Sequence, residues 1–166
     1  MFFPTEQTMK RRALLTRSTT LTPALAALML TAFTAGPFAA PETDPVEIVI
    51  RSVGNELRFD TTAFTVKAGQ EVRLVFENKA TVQGLAHNVV ILTDAEAIDR
   101  VGVAALSAAA NDYIPEDEAI LFYTPLAQPG ETVEVTFTAP SEPGDYPFIC
   151  SFPGHYVLMR GVMKVT

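Results

Sequence analysis

Apolar residues recur at every second position in several short runs. Val46, Ile48 and Ile50 share one face of segment 46–53, and Gly54-Asn55 then supplies a turn. Val72, Leu74 and Phe76 form the inward side of 71–76 in the same way. Alternation with this period predicts half-buried strands. Segments 57–59, 63–66, 121–124, 132–138, 145–150 and 161–165 read as further strands, divided by turn residues such as Lys67-Ala68-Gly69-Gln70. Segment 89–92 is apolar throughout, which suits a strand in a sandwich core. About eight short strands with frequent turn signals predict a β-sandwich. One stretch breaks the pattern. Over 93–110 the apolar residues Ile98, Val101, Ala105 and Leu106 follow helical spacing, and Thr93 with Glu96 resembles a capping box. A helix flanking the sandwich is expected there, followed by an acidic surface loop at 111–118.

Composition divides the chain near residue 40. Lys10, Arg11, Arg12 and Arg17 precede an apolar stretch at 21–35, and mostly small residues follow at 36–40. A charged region, an apolar region and small residues in that order form a secretory signal. Residues 18–40 are also about long enough to span a bilayer, so a retained anchor is the second reading. Several threonines and two prolines weaken it. The run Arg11-Arg12-Ala13-Leu14-Leu15 leaves twin-arginine export open beside the general route. Met9 is an alternative start. The expected organisation is a signal peptide or N-terminal anchor at 1–40 and one folded domain at 41–166, periplasmic or otherwise extracytoplasmic.

Without the four cations and one acid of residues 1–40, 8 basic residues face 18 acidic ones, a net charge of −10. No clustered basic face is left for nucleic acid. The chain has 1 Cys, 2 His and no Trp. A single cysteine closes no intrachain disulfide, and in an exported domain it needs a reason: an inert buried thiol, an intermolecular bridge or a metal ligand.

The segment Tyr146-Pro147-Phe148-Ile149-Cys150-Ser151-Phe152-Pro153-Gly154-His155-Tyr156-Val157-Leu158-Met159 contains Cys-x4-His-x3-Met in one tight loop. With His87 it offers a thiolate, two imidazoles and a thioether, the donor types of a type 1 blue-copper site. Each residue alone has an ordinary reading: a buried small hydrophobe, a satisfied histidine, a methionine filling space. Together they take up every Cys and His of the chain. Zinc sites use no thioether. The expected cofactor is one copper ion.

These motifs resemble the cupredoxins, and within them the azurin and auracyanin branch. Gly54-Asn55-Glu56-Leu57-Arg58-Phe59 and Ala63-Phe64-Thr65-Val66 are similar to the second-strand region of azurins. Ala86-His87-Asn88-Val89-Val90 resembles the strand of the first ligand, and the loop from Cys150 to Met159 resembles the ligand loop closely. The resemblance implies an all-β, Greek-key β-sandwich of cupredoxin type with one helical insertion. It implies His87, Cys150 and His155 as equatorial ligands and Met159 as the axial one. Azurins carry Gly where this chain has Ala86, and they carry a disulfide that this chain lacks. Asn88 is expected to brace the ligand loop near Ser151, and the N–H groups of Asn88 and Phe152 to donate to the thiolate. His155 is the implied electron port, ringed by Leu57, Leu85, Ala86, Pro153, Gly154, Tyr156 and Val157.

The implied function is a monomeric one-electron carrier rather than an enzyme, working between redox proteins such as c-type cytochromes or membrane oxidoreductases. It touches a membrane only if the N-terminal segment is retained. The alternative is a copper-binding or copper-delivery protein of the cell envelope. Delivery proteins favour open, exchangeable sites rich in Met and His, which this set is not.

Overall fold

The computed structural model describes residues 45–166, so the segment read as a signal or anchor at 1–40 lies outside the described residues. Eight strands form among the described residues: β1 (Val46–Arg51), β2 (Ala63–Val66), β3 (Glu71–Glu77), β4 (Val90–Leu92), β5 (Ile120–Tyr123), β6 (Thr132–Thr138), β7 (Gly144–Ile149) and β8 (Arg160–Val165). The helix α1 (Ala97–Ala104) lies between β4 and β5.

Two sheets result. The first has the order β1-β3-β6, the second β2-β8-β7-β4-β5. β1 runs parallel to β3, with Val46 beside Val72, and β6 runs antiparallel to β3, with Phe137 opposite Val72. In the second sheet β2 runs parallel to β8, and the remaining pairs are antiparallel. Alternating residues of both sheets fill the space between them: Ile50, Val72, Leu74 and Phe76 from one side, Val66, Ile91, Phe148 and Met163 from the other. Each fully buried side chain of this kind contributes about 1.5–3 kcal/mol. The Phe59 ring wedges between Phe76 and Phe148, at 5.9 and 5.4 Å between centroids.

Helix α1 explains why β4 is apolar at every position. Ile91 points into the sandwich, whereas Val90, Leu92 and Ile149 face a second cluster built with Ala97, Ile98 and Val101 of the helix. A sheet covered on both faces needs apolar residues at consecutive positions, not alternate ones.

Four local expectations change. Residues 57–59 make no strand, only an isolated bridge between Ser52 and Phe59. Thr93 does not cap the helix, since the Ala97 N–H donates to Asp94 Oδ1 at 2.9 Å, and Thr93 spends its hydroxyl on Asp94 Oδ2. Leu106 is 55% exposed, because the α-helix tightens into a 3₁₀ turn after Ala104 and the 3.6-residue period fails there. In the acidic segment 111–118, Ile114 turns inward to join the second cluster.

Candidate metal centre

Cys150 follows β7 directly, and Met159 precedes β8, so the sheet pairing of these strands fixes both ends of the loop between them. The Cys150 N–H donates to the Met159 carbonyl at 2.9 Å and closes the loop at its base. Within it, Gly154 has φ +79°, a left-handed conformation that suits glycine and starts a 3₁₀ turn at His155–Val157. The His155 carbonyl accepts from the N–H groups of Leu158 at 3.1 Å and Met159 at 2.8 Å. The ten residues 150–159 are thereby held as one compact turn.

His87 comes from elsewhere. Its N–H donates to the Ala127 carbonyl at 3.1 Å and its carbonyl accepts from the Ala127 N–H at 2.8 Å. Asn78, at the end of β3, locks this bridge. Its Nδ2 donates to the carbonyls of Leu85 and Ala127 at 3.0 and 2.9 Å, and its Oδ1 accepts from the Ser52 hydroxyl and the Ala80 N–H. All four bonding capacities of the buried amide are used.

The two segments bring three donors together. Cys150 Sγ lies 3.7 Å from His87 Nδ1 and 3.6 Å from His155 Nδ1, and the two Nδ1 atoms are 3.1 Å apart. All three residues are buried, and as a group they could hold a metal ion. Met159 is buried in the same apolar cluster as Cys150. His155 alone keeps a trace of exposure, 7%.

Burial sets the charge of the cluster. It depresses the His87 imidazole to about 4, with His155 adding to the effect, and it lowers His155 as well. It pushes the Cys150 thiol up to about 12, against the pull of the Asn88 and Phe152 backbone N–H groups. The metal-free cluster is neutral at pH 7, with the thiol protonated. A metal must displace that proton.

The donors fit copper. Magnesium and calcium take oxygen ligands, and this cluster offers sulfur and nitrogen. Nδ1 is the atom each imidazole presents to the thiol, and His87 Nε2 is buried with no partner among the described residues. With a metal on Nδ1, the ring proton sits on Nε2 and the tautomer is fixed.

Asn88 braces the loop as the sequence implied. Its Oδ1 accepts the Ser151 N–H at 2.9 Å, and its Nδ2 donates to Ser151 Oγ at 2.9 Å. Sequence reasoning missed three supporting side chains. Asn78 is one. Phe152, expected to contribute only its backbone N–H, is the second through its ring, 4.8 Å from that of His155. Tyr113 is the third, 5.0 Å from Phe152 and held at φ +61° after Asp112 at φ +51°. The turn-forming Asn111-Asp112 pair was the available signal for that last position. The acidic segment thus begins against the ligand loop.

The apolar ring around His155 needs correction. Ala86 is buried, and Tyr156 packs inward against the cluster under α1. The exposed apolar residues on the loop are Val157, at 53%, and Leu158, at 67%. Leu158 had not been expected there.

Comparison with known proteins places these features in context. The profile of the family described as copper binding proteins, plastocyanin/azurin family, matches residues 46–166. Auracyanin-A of Chloroflexus aurantiacus is 48% identical over 125 residues, covering 74% of this chain and 75% of that protein. Azurin iso-2 of Methylomonas sp. (strain J) is 31% identical over 118 residues, covering 68% and 92%. The solved structure of auracyanin A, described as a "blue" copper protein from Chloroflexus aurantiacus, superposes with a TM-score of 0.69 at 47% identity, covering 74% of this chain and 99% of that one.

Proposed function

Because the chain belongs to the plastocyanin/azurin family of copper-binding proteins, we propose that it carries single electrons between redox proteins outside the cytoplasm, with copper held by His87, Cys150, His155 and Met159. The observation that carries this reading is the convergence of Cys150 Sγ with the two Nδ1 atoms inside 3.7 Å, in a buried cluster. Bound there, copper supplies a one-electron couple, since thiolate and thioether favour Cu(I) while imidazole suits both oxidation states.

The protein supplies rigidity, dryness and an outlet. Rigidity comes from the Asn88–Ser151 pair, the Asn78 amide and the bond between Cys150 N–H and the Met159 carbonyl. Donors held this firmly move little when charge changes by one unit. Dryness comes from the core around Cys150, His87 and Met159. The outlet is the imidazole edge of His155, the one donor that reaches the surface, beside exposed Val157 and Leu158. A partner that docks over these residues comes close to the cluster without any pocket for substrate.

The basic and apolar regions of residues 1–40 support export to the periplasm or a comparable compartment. There c-type cytochromes or membrane oxidoreductases are the partners we propose, and the net charge of −10 over 41–166 steers the chain toward basic ones. The buried, closed donor set speaks against copper delivery, which needs an exchangeable site.

Stopped-flow mixing of the copper-loaded protein with a reduced c-type cytochrome tests this reading. Fast one-electron oxidation of the cytochrome, with copper retained through repeated cycles, is expected. Ready loss of copper to a chelator, together with slow electron exchange, would favour delivery instead.

A further inference from the structure

Gly102 sits inside helix α1, where glycine is the least favourable residue after proline. Its backbone has ordinary helical geometry, so no positive φ calls for it. What calls for it is Tyr156. A Cβ at position 102 would lie 2.3, 2.4 and 2.5 Å from Tyr156 Cγ, Cδ1 and Cδ2. These are closer than any real side-chain contact. They are also the base of the ring rather than the free end of a flexible chain, so the ring cannot swing clear while its backbone stays in place. Helix α1 packs on the turn at His155–Val157 through this contact.

We infer that Gly102 is a positioning residue: the bare backbone at 102 is the seat of the Tyr156 ring, and that seat sets where His155 and Met159 stand in the ligand loop. The link is short and covalent. Tyr156 follows His155 directly, and the His155 carbonyl holds the N–H groups of Leu158 and Met159. The Met159 carbonyl in turn holds the N–H of Cys150. A ring lifted off the helix pulls on all three. The helical insertion, remote in sequence from His155 and Met159, thereby becomes the outer wall of the loop that carries them. This inference rests on the proposal that His155 and Met159 are ligands, and its test includes a measurement that needs no metal.

Three variants decide it: Gly102→Ala, Tyr156→Ala and the double variant. Amide hydrogen exchange is followed in the metal-free proteins, and the visible spectrum and reduction potential in the copper-loaded ones. Alanine is the better helix former, so intrinsic propensity alone would make Gly102→Ala more stable. The inference instead requires exchange at residues 155–159 to accelerate at least tenfold in Gly102→Ala, with β1, β3 and β6 unchanged. The copper spectrum and potential should shift with it. The double variant should match Tyr156→Ala in every readout, since alanine at 102 is harmless once the ring is gone. A Gly102→Ala protein that fails to fold, beside a double variant that folds as Tyr156→Ala does, supports the same conclusion. Unchanged exchange and spectrum in Gly102→Ala would overturn it, as would a double variant more disturbed than Tyr156→Ala. A wild-type protein that took no copper would instead sink the ligand proposal, and the exchange data would still decide whether Gly102 seats the ring.

Discussion

Burial keeps both imidazoles neutral and the Cys150 thiol protonated, so the donors wait uncharged and exchange a proton for metal. Asn88 holds the arrangement in place from the adjoining residue. Asn88→Ala leaves the buried N–H and hydroxyl of Ser151 without their partner. Urea unfolding of the metal-free variant should show a loss of roughly 2–4 kcal/mol, the cost of about two buried polar groups left unpaired. A loss below about 0.5 kcal/mol would mean that water or another group replaces the amide easily. Met159→Leu should keep the copper and its colour but raise the reduction potential, because a weak axial thioether stabilises Cu(II) slightly more than an alkyl group does. Cyclic voltammetry reads this directly, and a lowered or unchanged potential would show that Met159 does not hold the copper. The candidate donors were legible in the sequence because Cys150, His155 and Met159 lie on one loop and the chain holds one other histidine. Asn78 was not legible. Its four bonds reach Ser52, Ala80, Leu85 and Ala127, and nothing local in the sequence marks such a convergence.

Elements with a clean period were read correctly, and the misreadings fall where a period breaks. β3 and β6 alternate over seven residues each and form as expected. Helix α1 starts later and ends sooner than its apolar spacing implied, because Asp94 captures the first N–H and a 3₁₀ turn displaces Leu106 to the surface. Tyr156 was assigned to the wrong face for a similar reason: its place depends on a helix 54 positions earlier, through Gly102. The carboxylates at the helix make a pH prediction. The Thr93 hydroxyl and the Ala97 N–H hold Asp94 below the usual 3.8, and the Ala119 N–H and Arg100 do the same for Asp117. A depressed carboxylate stabilises the fold above its unfolded pKa and loses that contribution as pH falls through its folded one. Helix α1 should therefore stay protected from exchange at pH 5–7 and lose protection well below about pH 3.8, before the sandwich strands do. Simultaneous loss across all elements would show that the helix has no separate acid lability.

For the whole molecule, net charge and docking surface act on different parts of the same event. A charge of −10 over 41–166 governs approach, whereas the apolar surface beside His155 governs contact. Val157→Asp puts a charge where a partner must exclude water, at a cost of several kcal/mol if it is left unpaired. Transfer rates to a cytochrome should fall about a hundredfold or more, with the visible spectrum unchanged. Glu116→Gln with Glu118→Gln should alter mainly the salt dependence of the rate. Fast transfer in Val157→Asp, beside slow transfer in the glutamine pair at high salt, would move the outlet to the acidic segment. That segment begins at Asp112 and Tyr113, against Asn88 and Phe152, so the comparison is a close one.

The central claim is that Cys150, with His87 and His155, holds copper as a thiolate. Titrating the metal-free protein with Cu(II) while recording the visible spectrum tests it most directly. The account predicts an intense charge-transfer band toward the red, saturating at one copper per chain, and absent from Cys150→Ser. A protein that binds copper without that band, or a Cys150→Ser variant that keeps it, would contradict the account.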